Sequence, residues 1–155
     1  MNHYLKVLGF QLHLTLACNQ TQEFLIKTEE YKQQIKTSLN IIKELDSNLI
    51  IYPEMSYDDN YEKIFRQLSK GKLIVAGSIY REKINTTIVF QDGLKKEIPK
   101  LFASGAEPMV RMIEQKKLTD FTEEKLEDHI FSIQNKKIMI LNCMEYYHLA
   151  YYLAR

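Results

Sequence analysis

The sequence predicts an α/β protein with a mixed central β-sheet. Short apolar runs alternate along the chain with segments whose apolar residues recur every three or four positions, which is the pattern of strands that alternate with helices. Asp92-Gly93 lies between two apolar runs and marks a tight hairpin turn. Because a hairpin is antiparallel and strands joined by helices are usually parallel, the two patterns together predict a mixed sheet.

The first half of the chain supplies two strand–helix units. Its predicted elements are the strand Lys6–Leu14, a helix from Thr28 to about Leu45, the strand Asn48–Tyr52 and the helix Tyr57–Leu68. Thr28 is a favourable N-cap residue, and a stripe of apolar residues at helical spacing follows it: Tyr31, Ile35, Leu39, Ile42 and Leu45. Asn48–Tyr52 is a short apolar run before a proline, which suits a strand buried on both faces.

The second half supplies a hairpin, a mixed stretch and a second pair of strands. Its predicted strands are Lys72–Tyr80, Ile84–Gln91, Leu94–Ile98, His129–Ile133 and Lys137–Leu141, with a turn at Asn135. Short helices are predicted near 108–117 and 122–128, and helical spacing resumes over Glu145–Arg155.

Length and composition indicate one domain, residues 1–155, because no linker, repeat or low-complexity stretch divides the chain. Hydrophobic residues make up 45% of the chain, which is enough for a core. No apolar run approaches the roughly 18–20 residues of a membrane helix, and the N-terminus lacks the features of a secretory signal. The two cysteines, Cys18 and Cys143, fit a reducing compartment, so we expect a cytoplasmic protein.

Charge and motifs exclude several classes of partner. Residues 61–117 carry 12 Lys and Arg against 6 Asp and Glu, which favours an anionic partner or, more simply, a solvated surface. No nucleic-acid, Walker A or Gly-x-Gly-x-x-Gly motif is present. The four histidines, at positions 3, 13, 129 and 148, lack metal-ligand spacing. We therefore expect no cofactor, no metal, no nucleic acid and no membrane partner.

Three chemically useful residues follow predicted strands. Glu54 follows NLIIY, Lys100 follows the return arm of the hairpin, and Cys143 follows KIMIL at the start of the last helix. Ligands of open α/β sheets bind beyond the carboxyl ends of the strands. A carboxylate can take the proton of a thiol as the thiol attacks, and an ammonium group can stabilise the oxyanion that develops. The combination therefore predicts acyl transfer through a covalent thioester.

Each of these residues has a simpler interpretation on its own. A cysteine after a buried strand is commonly a small core residue, a glutamate there is commonly solvated, and a lysine in KKEIPK is commonly at the surface. Lys95 and Lys96 compete with Lys100 but lie within the predicted strand, not at its end. The prediction depends on the combination of the three residues and on their order.

In that order the three residues resemble the nitrilase superfamily of carbon–nitrogen hydrolases. NLIIYPE resembles the segment of the family's general base and assigns Glu54, and KKEIPKLF resembles the lysine segment and assigns Lys100. KIMILNCME resembles the nucleophile segment and assigns Cys143, with Glu145 as a supporting residue. Gly77 and Asn85-Thr86 match the family's strand pair. Many members carry a second glutamate after the lysine, for which Glu107 is the candidate and Glu114 the alternative.

The resemblance implies an α-β-β-α layered sandwich, of which this chain carries an incomplete part. The family's aromatic-Pro-Glu element after the nucleophile is replaced here by Tyr146-Tyr147-His148, and family members continue for further strands and helices. We therefore expect either a fragment or a shortened natural relative, with homo-oligomerisation or association with the missing continuation. The tyrosine-rich last helix either packs in the core or marks a self-association surface.

The resemblance implies thiol-dependent hydrolysis of a carbon–nitrogen bond in a small amide or nitrile through a thioester on Cys143. Transfer of the acyl group to an amine is a related possibility. The alternative is a catalytically degenerate nitrilase-like module that serves in interaction or sensing, which the short length and the lost proline favour. A Cys143–His148 dyad is also possible by spacing, although five residues align poorly on a helix.

Overall fold

A five-stranded mixed sheet forms the centre of the protein. The fold is given by a computed structural model, which describes residues 4–13, 16–18, 25–81, 84–100 and 127–142. The sheet has the strand order β1-β4-β5-β6-β7. Its strands are β1 (Val7–Gly9), β4 (Leu49–Ile51), β5 (Leu73–Arg81), β6 (Ile84–Gln91) and β7 (Leu94–Pro99). The prediction of an α/β fold with a mixed sheet is confirmed.

Strand direction explains which chain segments meet at one end of the sheet. β1, β4 and β5 are parallel, whereas β6 is antiparallel to both β5 and β7. β4, β5 and β7 therefore all run the same way. Their carboxyl ends lie at the same end of the sheet as the amino end of β6.

Helices cover one face of the sheet. Helix α1 (Glu29–Glu44) begins at Thr28, whose Oγ1 accepts a hydrogen bond from the backbone N–H of Tyr31, and its predicted apolar stripe is buried up to Ile42. Leu45, the last residue of that stripe, is the C-cap and is exposed. Helix α2 (Glu62–Leu68) contributes Phe65, which is buried between the helices and the strands. A cluster of buried aliphatic and aromatic side chains from both helices and from β4, β5 and β6 forms this core.

A two-stranded hairpin covers the other face. Strands β8 (Ile130–Ile133) and β9 (Lys136–Met139) pair antiparallel across a turn in which Gln134 and Asn135 both have positive φ. Phe131 and Ile133 pack against Leu49, Leu73 and Val89 of the sheet. The two faces therefore have separate cores, because successive side chains of a strand point to opposite faces.

The structure departs from the sequence prediction in three places by more than one or two residues at the end of an element. The first strand is only Val7–Gly9 and not Lys6–Leu14, because its parallel partner β4 is itself three residues long. The predicted helix Tyr57–Leu68 begins as a 3₁₀ turn at Asp59–Tyr61, where the Asp58 carboxylate accepts from the Asn60 N–H. An antiparallel ribbon of β2 (Leu16–Cys18) and β3 (Leu25–Lys27) was not predicted.

Some predicted elements lie outside the described residues. These are the helix Glu145–Arg155, the helix 108–117 and all but the last two residues of 122–128. Among the helices that the structure describes, none has the length and apolar character needed to span a membrane.

Candidate functional site

Glu54 and Lys100 meet where β4 and β7 end, at the same end of the sheet. They are 46 residues apart in the sequence, yet Lys100 Nζ lies 3.4 Å from Glu54 Oε1. The side chain of Lys100 is only 2% exposed, whereas that of Glu54 is 36% exposed. A buried ammonium group requires a close partner of opposite charge. The carboxylate thus partly neutralises the lysine and remains reachable from solvent.

Asn85 is the third member of this cluster. Its Nδ2 donates a hydrogen bond of 2.6 Å to the same oxygen, Glu54 Oε1, and its backbone carbonyl accepts from the Lys100 N–H at 2.8 Å. Asn85 is buried, and its Oδ1 has no hydrogen-bond partner among the described residues. Glu54 Oε1 therefore receives two donors, whereas Oε2 has no hydrogen bond or ion pair within the part of the chain that the structure describes.

A tight turn after β4 fixes the backbone that carries Glu54. Met55 has a φ of 65°, which is uncommon for a residue with a side chain, and its N–H donates to Ser78 Oγ at 2.9 Å. Ser56 Oγ donates a hydrogen bond of 2.6 Å to the Pro53 carbonyl oxygen. Tyr31 Oη donates to the Ser56 carbonyl from helix α1. The turn is thus held from both a helix and a strand.

Gly77 on β5 makes this close approach possible. Its φ is 88°, and a Cβ at this position would overlap Ser56 Oγ and the Pro53 carbonyl oxygen. The register of β5 against β6 shifts between Val75 and Ser78, so the strand carries an irregularity where the turn packs on it. A glycine is required at this position both for its backbone conformation and for space.

A cavity of about 390 Å³ adjoins Glu54. It lies between the sheet and the segment 138–142, and its walls are more apolar than polar. Tyr52 also lines it, and the Tyr52 hydroxyl lies 2.7 Å from Ser38 Oγ. Burial raises the pKa of Tyr52 well above its ordinary value, so its hydroxyl stays neutral. A cavity of this size with one carboxylate in its wall has the general form of a small-molecule site.

The chain segment before Cys143 is attached to the sheet beside this cavity. Asn142 lines the cavity, and its Nδ2 donates to Thr87 Oγ1 on β6 at 3.0 Å. Cys143 is the next residue in the sequence. Cys143 itself, both supporting candidates Glu107 and Glu145, and the alternatives Glu114 and His148 lie outside the described residues.

Comparisons with protein-family models, with curated proteins and with solved structures found no match. The functional assignment therefore depends on the residues and the geometry of this chain.

The competing lysines are engaged elsewhere. Lys95 lies within β7 and bonds Glu62 at 2.9 Å and Glu97 at 2.8 Å. The hydrogen bond from Lys95, followed by that from Arg66, lowers the pKa of Glu62 to about 2. Lys96 pairs with Asp128 at 2.9 Å. Both lysines therefore form ion pairs with carboxylates other than Glu54, and Lys100 is the lysine that contacts Glu54.

The described histidines do not join this cluster. The His129 ring is buried and its Nδ1 lies 2.9 Å from the Ile140 carbonyl oxygen, so it is a core residue of the β8–β9 hairpin. His13 has a largely exposed side chain 3.8 Å from Glu30. Within the ranges given above, no three His, Cys, Asp or Glu side chains are grouped as a metal site.

Asn85 is the site residue whose role sequence reasoning missed. The sequence placed Asn85-Thr86 only in a strand that resembles the family. The signal was available in the hairpin: β6 runs opposite to β4 and β7, so the beginning of β6 lies next to their carboxyl ends.

Proposed function

We propose that the protein hydrolyses a carbon–nitrogen bond in a small amide or nitrile through a thioester on Cys143. The observation that carries the proposal is the contact of buried Lys100 with Glu54, whose side chain lines a cavity. Both residues were predicted from their positions after strands, and 46 residues separate them in the chain. A nitrilase-like layered sandwich is part of the proposal, supported by helices on one face of the sheet and a hairpin on the other.

Glu54 is assigned as the general base, acting through Oε2. Asn85 and Lys100 both contact Oε1, so the carboxylate is oriented by two donors on one oxygen. The second oxygen is left to accept the proton of the Cys143 thiol. Loss of that proton converts the thiol to a thiolate, and the thiolate is the nucleophile.

The amide reaction then balances in two steps. The thiolate forms a bond to the carbonyl carbon, and Lys100 stabilises the charge that develops on the carbonyl oxygen. The carbon–nitrogen bond breaks as Glu54 returns its proton to the nitrogen, which releases ammonia or an amine. Glu54 next takes a proton from water, and the hydroxide attacks the thioester carbon. The carbon–sulfur bond then breaks to give the carboxylic acid, and the Cys143 sulfur takes the proton back from Glu54, which restores the thiol and the carboxylate.

The test is selective labelling of the two cysteines with iodoacetamide near neutral pH. We expect Cys143 to react at least about tenfold faster than Cys18, because the proposed neighbouring base and the position at a helix start that the sequence predicts both favour thiolate. Glu54→Gln is expected to remove that difference, and Glu44→Gln, a change at an exposed position on α1, is the matched control.

Ammonia release from short primary amides is the second measurement. Wild-type activity that is lost in Glu54→Gln and in Lys100→Met, with the thermal unfolding midpoint recorded for each variant, supports the proposal. Slow and equal labelling of both thiols together with no ammonia release would refute it and would favour the non-catalytic interaction or sensing module.

A further inference from the structure

The side chains that line the cavity beside Glu54 indicate which class of substrate fits there. Six aliphatic side chains line it among the described residues: Leu49, Ile51, Val75, Ile138, Ile140 and Leu141. They come from β4 and β5 on one side and from the β9 segment on the other, so the walls are built by elements that the core already fixes. The polar side chains of the lining are the neutral groups of Tyr52, Ser78, Thr87 and Asn142 together with Glu54. Glu54 is the group assigned to the chemistry.

The charge of the cavity also discriminates between substrates. Of the described residues that line it, Glu54 is the only charged one. A substrate with a carboxylate on its acyl chain would place that group among aliphatic side chains and near a second carboxylate. Burial of an unpaired charge and repulsion between like charges both disfavour such a complex.

We propose that this cavity binds the acyl chain of the substrate and that the chain is aliphatic and uncharged. The inference rests on the proposed hydrolysis and narrows it from small amides in general to neutral aliphatic ones. The substrate amide lies toward Glu54 and its hydrocarbon chain lies between Val75 and Ile138. Removal of apolar chain surface from water supplies the binding free energy.

Butyramide and succinamic acid form a matched pair of probes, because a terminal methyl group in the first is a carboxylate in the second. We expect kcat/KM for ammonia release to be at least about tenfold higher for butyramide. Equal rates, or faster hydrolysis of succinamic acid, would overturn the inference and leave the proposed hydrolysis standing.

Ile51→Lys tests the wall directly. Ile51 lines the cavity and is 41% exposed, so a lysine there does not bury a charge in the core. We expect the preference for butyramide over succinamic acid to fall at least about tenfold. Val7→Lys is the matched control, since Val7 is 56% exposed on the adjacent strand β1 and does not line the cavity. An equal fall in both variants would mean that overall charge, and not the cavity, sets the preference.

Methyl NMR detects binding of the probe whether or not the probe is hydrolysed. We expect butyramide, and not succinamic acid, to shift the methyl signals of Ile51, Val75 and Ile138 in the wild-type protein. Shifts without ammonia release would refute the hydrolysis but support the aliphatic cavity. Absence of shifts at these methyl groups would refute the cavity assignment whatever the turnover.

Discussion

Replacement of Gly77 by alanine tests whether the turn that carries Glu54 depends on its packing against β5. Gly77 has a φ of 88°, and a Cβ there would overlap Ser56 Oγ and the Pro53 carbonyl oxygen. Ser56 and Pro53 lie on either side of Glu54 and Met55 in the same turn. The overlap with Pro53 involves backbone, which cannot rotate away as a flexible side chain can.

Two other glycines separate the contributions to the expected loss. Gly71 has a φ of 67° with open space around a built Cβ, so Gly71→Ala is expected to cost only the backbone term of about 1–2 kcal/mol. Gly9 has neither a positive φ nor a neighbour within 4 Å, so Gly9→Ala is expected to be neutral or slightly stabilising. Gly77→Ala adds an overpacking cost of about 1–3 kcal/mol to the backbone term, for a total of about 2–5 kcal/mol with a central value of about 3 kcal/mol.

Chemical denaturation of the four proteins gives the free energies of unfolding, and thermal unfolding gives the midpoints. We expect the midpoint of Gly77→Ala to fall by roughly 6–12 °C and that of Gly71→Ala by roughly half as much or less. If Gly77→Ala lost no more stability than Gly71→Ala, the close packing of the turn on β5 would be wrong. A folded Gly77→Ala protein is also expected to label Cys143 more slowly, because the turn that holds Glu54 must move.

Two further predictions concern charge. Lys95→Met removes the main donor that lowers the pKa of Glu62 to about 2, and a lowered carboxyl pKa stabilises the folded protein above the ordinary value of 4.5. In denaturation experiments we therefore expect a loss of about 1–2 kcal/mol near neutral pH that shrinks as the pH falls from 4.5 to 2. Lys96→Met is the control and should lose less than about 0.5 kcal/mol, because its partner Asp128 is largely exposed. Asn85→Asp replaces the donor to Glu54 with a second carboxylate. The free energy of unfolding of the variant should be about 1–3 kcal/mol below that of the wild type at pH 7.5, and the difference should be smaller at pH 4.5, where protonation relieves the repulsion. A loss of stability that does not depend on pH would contradict the contact.

Sequence patterns predicted the elements that have strong local signals. Thr28 with the apolar stripe of α1 gave the helix boundaries, and Asp92-Gly93 gave the β6–β7 hairpin, because capping and turn chemistry act within a few residues. The ribbon β2–β3 escaped prediction because its strands have only three residues each and show no clear period. The length of β1 escaped because a partner strand, not its own sequence, sets it.

The candidate site also combines features that the local sequence predicts with features that depend on long-range contacts. The positions of Glu54 and Lys100 after strands were readable from the sequence, because a strand end is a local feature. Their contact, and the part of Asn85 in it, depended on the relative directions of β4, β6 and β7, which long-range pairing decides. Gly77 was noticed only as a family resemblance, and its physical reason, the approach of the Pro53–Ser56 turn, is a tertiary contact.

The direction of β6 is the feature on which the whole cluster depends. If the segment after β5 had returned by a helix and paired parallel, Asn85 would begin its strand at the opposite end of the sheet, far from Glu54. The two-residue turn Asp92-Gly93 then reverses the chain again, so that β7 delivers Lys100 to the same end and the Lys100 N–H to the Asn85 carbonyl oxygen. The antiparallel pairing of β6 with both β5 and β7 thus brings a buried ammonium and an amide donor to one carboxylate oxygen.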